Sequence, residues 1–142
     1  MATTFRRATE ADAEPIASLL TELGYASTAA DVSGRVQHAL HSETSWLLLA
    51  QSENDVIGLI SAELVPYFPT GTTVCRVTAL VVAAQHRRGG LGEKLLTHVT
   101  AFAREHGCLG IELTSAHRRL DAHRFYERLG FSPTSLRFFR PL

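Results

Sequence analysis

The chain has 142 residues, 14 Lys plus Arg against 14 Asp plus Glu, 45% hydrophobic and 20% charged side chains. That is the make-up of one globular domain (1–142), large enough for a sheet with helices packed on it. Balanced charge gives no footprint of a nucleic-acid or anionic-membrane binder, and no apolar run approaches transmembrane length. Residues 1–12 (MATTFRRATEAD) contain acids and lack an apolar signal core, which points to a cytoplasmic protein.

In chain order, FRRAT (5–9) reads as a first strand. A helix follows, with Ile16, Leu19, Leu20 and Leu23 on one face and Gly24 as its stop. A weaker helix over 27–40 has Ser27 or Thr28 as cap, Val32, Val36 and Leu40 as its stripe, and Gly34 as an interruption. SWLLLAQ (45–51), the turn ENDV (53–56) and the return strand 56–65 form an antiparallel hairpin. PYFPTGTT (66–73) is a loop, and VCRVTALVVAA (74–84) a long apolar strand. From Leu91 a helix places Leu91, Leu95, Leu96, Val99, Phe102 and Ala103 together and stops at Gly107. A strand at 109–115, a helix at 119–130 ended by Gly130, and one or two closing strands in FSPTSLRFFRPL complete the chain. The order β-α-α-β-β-β-α-β-α-β makes the class α+β with a mixed sheet, with a right-handed strand–helix–strand crossover over 74–115. Cys75 and Cys108 stand in no metal or redox spacing and read as small buried hydrophobes.

Chemistry concentrates at QHRRGGLGEKLL (85–96), where a buried strand meets a helix. The first N–H groups of a helix have no intrahelical partner and lie at the positive end of its dipole. Glycines let a bulky anion approach that backbone, and Arg87 and Arg88 add charge, so the junction reads as a phosphate cradle. The plainer reading is a tight turn with solvated arginines. A P-loop is excluded because the only lysine, Lys94, follows Glu93. A dinucleotide fingerprint fits poorly, because Leu95 stands where a small residue is needed.

The junction resembles the cofactor signature of the GNAT superfamily of acetyl-CoA-dependent N-acetyltransferases: Arg87, Gly90 and Gly92 after LVV. A second signature of that family is similar to AHRFYERLGF, Ala122 to Phe131, in the usual order and separation. The likeness covers essentially the whole chain and implies a GNAT-like mixed sheet with helices on both faces. It implies that the backbone of Arg87, Arg88, Gly89, Gly90, Leu91 and Gly92 binds the coenzyme A pyrophosphate. It further implies that Leu80, Val81 and Val82 pair with the pantetheine arm, and that Tyr126 protonates the leaving thiolate. Acetyl-CoA is then the co-substrate, and no metal is implied. A weaker likeness, carried by RRLDAHRFYERLGF and RFFRPL, is to aminoalkylphosphonate N-acetyltransferases.

Two departures matter. Family members often carry a glutamate base in the strand before the glycine turn, where this chain has Arg76 and no acid. Glu63, on the neighbouring strand, and His117 are the replacement candidates, against readings as an outward strand acid and a loop histidine. Arg119 stands where an asparagine often touches pantetheine, and reaches a phosphate or is solvated. The acceptor is expected to be a modest-sized amine entering past 24–31 and 66–71. There Tyr25, Tyr67 and Phe68 line the entrance, or pack on the core or in a homodimer contact. The rival reading is a coenzyme A-binding sensor without turnover.

Overall fold

The computed structural model describes residues 2–142. The described chain falls into two compact units, one ending at Glu112 and the other Leu113–Leu142. The first unit holds β1 (Thr3–Arg7), α1 (Ala13–Leu23), α2 (Ala29–His41), β2 (Ser45–Ser52), β3 (Asp55–Tyr67), β4 (Thr72–Val82), α3 (Leu91–Glu105) and β5 (Ile111–Glu112). The second holds α4 (Leu120–Arg128) and an extended C-terminal segment.

The sheet runs β1-β2-β3-β4-β5, antiparallel except for the parallel β4–β5 pair at its end. Alternation along the strands covers both faces. Leu47, Leu49, Leu59 and Val81 pack with Ile16, Leu19, Val32 and Val36 of α1 and α2. On the opposite face Trp46 stacks on Phe102 of α3, 4.8 Å between ring centroids. Gly58 lies so close to α3 that an added Cβ would come within 3.2 Å of Leu95 Cδ1. The mixed sheet with helices on both faces is therefore as expected from the sequence. Helix punctuation is too: Thr28 and Asp31 form a reciprocal capping box at the start of α2, and Gly24 ends α1 in the left-handed region.

The end of the chain differs from expectation. No strand forms after Phe131, and the 109–115 strand contracts to Ile111–Glu112, with flanking bonds from Leu109 N to Thr73 O and from Cys75 N to Gly110 O. A strand needs a neighbour as well as β-forming residues. Among the described residues none supplies backbone partners to 132–142, where Pro133 and Pro141 lack donors.

The entry to α1 is tied down by a charged cluster. Both terminal nitrogens of the Arg6 guanidinium donate to Asp12, at 2.8 Å each, and the Thr9 N–H donates to the same carboxylate at 2.7 Å. The Arg6 bonds hold the Asp12 carboxyl below its ordinary value; burial opposes them, and Thr9 adds to them. A depressed carboxyl contributes stability above its unfolded pKa of about 3.9 and loses it as pH falls through the folded value. Asp12→Ala should cost about 2 kcal/mol at pH 7, with part of the pair's value lost to solvent screening at Arg6. Urea unfolding should show the gap between wild type and variant closing as pH drops through the acid range, and a pH-independent gap would count against the ion pair.

Candidate active site

β4 is paired to β3 along its whole length, but to β5 only at Cys75 and Arg76. From Val77 to Val82 its other edge has no strand neighbour in the sheet. The Ala83 N–H donates to Ile57 O beyond the start of β3's paired stretch, at 2.8 Å. The trans peptide before it therefore turns the Val82 carbonyl to the open edge. Alternation turns the backbone groups of Leu80 outward with Val82, and those of Val81 inward to β3, opposite Leu59.

The outer Val82 carbonyl is already engaged. Arg87 Nε donates to it at 3.0 Å, and Glu22 at the end of α1 accepts from the Ala84 N–H at 3.0 Å. Glu22 also lies 3.9 Å from the Arg87 guanidinium. Arg87 thus folds the turn, leaving Arg88 as the arginine without an ion-pair partner there among the described residues. Arg88 is held at φ 70 and Gly90 at φ 79, both left-handed, and α3 starts at Leu91 with no side chain capping it. The α3 N–H groups at Leu91, Gly92 and Glu93 precede the first intrahelical bond, Lys94 N to Gly90 O. A Cβ added at Gly90 would meet nothing within 4 Å, so that side of the turn is open. Unsatisfied donors, a dipole end and open space fit a phosphate group.

Beside the edge lies a kink. Ser61 pairs with Ala79 and Ala62 with Val77, so Thr78 is an extra residue in β4. Its hydroxyl meets that of Ser61 at 2.6 Å. Thr78 and Ala79 border an open cleft of about 670 Å³ lined also by Leu20, Leu23, Tyr25 and Arg35, and a second cavity of about 280 Å³ that reaches Glu63. Both Glu63 oxygens accept hydroxyl bonds at 2.6 Å, from Thr44 and Ser45. Glu63 is directly across from Arg76, but Arg76 is committed to Glu112 at 2.6 Å. A carboxylate thus stands one strand over from the position the sequence leaves without an acid. Tyr25 lines the larger cavity, while Tyr67 and Phe68 line neither and are exposed at the β3–β4 turn.

In the second unit, His117 and Arg119 are exposed, Arg119 at the N-cap of α4. Tyr126 is half-buried on α4, its ring 5.3 Å from Phe125 and 5.8 Å from Phe131 between centroids. Burial pushes its phenol above the ordinary value, with the Arg119 charge pulling weakly the other way. Its hydroxyl has no hydrogen-bond partner among the described residues. The cysteines are poor nucleophiles: burial raises Cys75 to about 11, and raises Cys108 as well.

The sequence model of the Acetyltransferase (GNAT) family matches residues 13–131. This chain belongs to that family. It is 32% identical over 94 residues to an aminoalkylphosphonate N-acetyltransferase of Salmonella typhimurium, covering 66% of this chain and 61% of that one. It is also 32% identical over 90 residues to rat N-acetyltransferase 8F1, covering 63% and 41%. The match thus spans less than two thirds of either relative. In fold, the chain is similar to a Bacillus halodurans protein described as a transcriptional regulator, with TM-score 0.90 and 23% identity over 99% of this chain and 100% of that one. An aminoglycoside N-acetyltransferase crystallised with CoA shares the fold at TM-score 0.88 and 16% identity, covering 99% and 95%.

Three features of this GNAT domain escaped the sequence. The Thr78 kink had one signal, a polar residue inside an apolar strand. Arg35 and Glu22 had none, since each reads as an ordinary solvated helix charge until α1 and α2 are placed on the sheet.

Proposed function

We propose that this domain transfers the acetyl group of acetyl-CoA to the primary amine of a small molecule by direct attack in a ternary complex. The observation that carries the reading is the open β4 edge, running into an uncapped α3 N-terminus beside a cavity. The pantetheine amides extend the sheet at the outward groups of Leu80 and the Val82 N–H. The pyrophosphate sits on the N–H groups from Arg88 to Gly92, with Arg88 as counter-charge and Arg119 as a second cation for the cofactor. Arg87 and Glu22 hold the turn in shape.

The amine nitrogen attacks the thioester carbonyl, the C–S bond breaks, and the sulfur leaves as a thiolate. Tyr126, kept protonated by its burial, donates to that sulfur. Glu63, fixed by two hydroxyls and bordering the smaller cavity, takes the amine's proton directly or through water. His117 is the alternative acceptor. Arg35 borders both cavities and forms no ion pair within 4.0 Å among the described residues, which favours an amine that also carries an acidic group. This agrees in chemistry with the Salmonella relative's name.

Saturating acetyl-CoA should raise Tm by several degrees, and NAD and ATP should not. A thiol-release screen should then find turnover with amines bearing a carboxylate or phosphonate ahead of matched neutral amines. Absence of a Tm shift at millimolar acetyl-CoA overturns the reading. A shift without turnover on any amine establishes instead a coenzyme A-binding sensor, the alternative that the acid-free β4 supports.

A further inference from the structure

Glu22 stands where two electric fields disfavour a carboxylate. It lies in the last turn of α1, at the negative end of that helix's dipole, with no basic side chain in the turn to offset it. It also lies beside the glycine turn assigned above to a pyrophosphate, where a negative charge opposes an anion. Its contacts show what it does there. The Ala83 N–H is donated to Ile57 of β3; the next amide, Ala84, leaves the sheet and donates to Glu22 Oε1 at 3.0 Å. The approach of Glu22 to Arg87 is longer, 3.9 Å, between side chains 37% and 52% exposed, and contributes little by itself. The amide bond to an ionised acceptor is the stronger contact.

Four residues on, Arg88 is held at φ 70, a conformation that a non-glycine residue keeps only where the surrounding structure imposes it. Three hydrogen bonds shape the chain leading to it: Glu22 with the Ala84 amide, His86 N to Ala83 O at 2.8 Å, and Arg87 Nε to Val82 O at 3.0 Å. The last two are local, and among these bonds only that of Glu22 ties the turn to a helix on the sheet. We propose that Glu22 is a positioning residue for the cofactor: through the Ala84 amide it anchors residues 84–88 to α1, so that the N–H groups from Arg88 to Gly92 converge on one anion. The inference rests on the acetyl-CoA reading above. Its signature is one of sign. Removing a carboxylate beside the turn tightens an anion if only the field matters, and weakens it if an anchor is lost.

Isothermal titration with acetyl-CoA should show binding to Glu22→Ala weakened at least about tenfold. Glu22→Gln, which keeps an oxygen acceptor without the charge, should bind within about threefold of wild type. KM for acetyl-CoA should follow the same order, with kcat at saturation within about twofold. Ligand-free Tm of Glu22→Ala should stay within about 4 °C of wild type, because one exposed hydrogen bond is lost while a better helix former enters and an adverse dipole contact goes. Hydrogen exchange on the ligand-free protein reads the anchor directly: the Ala84 amide should be protected in wild type and Glu22→Gln, and open in Glu22→Ala. Unchanged or tighter binding by Glu22→Ala overturns the proposal. So does equal weakening by both variants, and so does a wild-type Ala84 amide that exchanges like open chain. A wild type that binds no acetyl-CoA overturns the underlying reading and this one with it, whereas a wild type that binds while Glu22→Ala binds equally well overturns this one alone.

Discussion

Replacing Tyr126 by phenylalanine is expected to lower kcat about a hundredfold and to leave the acetyl-CoA dissociation constant within about twofold. The ring contacts with Phe125 and Phe131 survive the change, so the fold around α4 should hold. What is lost is a hydroxyl with no hydrogen-bond partner among the described residues, hence no structural bond.

The pH profile separates the roles further. Burial raises the Tyr126 phenol above its ordinary value of about 10, so the donor form persists through neutral and mildly alkaline pH. A group that must be protonated to act loses its contribution as pH rises through its pKa. Wild-type kcat should therefore hold to high pH and then fall, and the variant's residual rate should lack that limb. Stopped-flow thiol release at saturating substrates measures both. An unchanged kcat in Tyr126→Phe removes the residue from the chemistry.

Sequence patterns were informative where local chemistry decides the structure. Gly24, Gly107 and Gly130 stop helices at positive φ as their positions suggest, and the Thr28–Asp31 box starts α2. The apolar stripe of α3 is the one buried against the sheet. The candidate site was legible on the donor side, because a glycine turn before a helix is a local feature. The acceptor side was not. Arg35 and Glu63 come to the same cavity only because α2 packs against β2, the strand paired with β3, and a Ser61–Thr78 contact depends on a register shift no residue type announces. Even on the donor side the two adjacent arginines looked equivalent. Their difference, Arg87 bonded into the turn and Arg88 without an ion-pair partner among the described residues, depends on Glu22 from a helix over 60 residues earlier in sequence. The closing strands failed for the complementary reason: FSPTSLRFFRPL has strand residues, but composition cannot say where a partner strand is.

Gly90→Val is expected to weaken acetyl-CoA binding about a hundredfold while costing only about 1–2 kcal/mol of stability. Space is not the reason, since a Cβ at this position would meet nothing within 4 Å. Conformation is. Gly90 holds φ 79, and a β-branched residue is a severe outlier there, so the backbone would move to negative φ. That movement swings the N–H groups of Leu91 and Gly92, which must converge on one anion, and binding of this kind is sensitive to displacements of about an ångström. Arg88, at φ 70 without glycine's freedom, shows that the turn already tolerates strain to keep its shape, as functional turns do. Gly90→Asn is the control, because asparagine accepts the left-handed region, and it should bind within about tenfold of wild type. Isothermal titration of both variants with acetyl-CoA decides the matter. Equal weakening by Val and Asn would mean that side-chain bulk, and not backbone direction, governs the cradle. Unchanged affinity in Gly90→Val would mean that the α3 N-terminus does not hold the pyrophosphate at all.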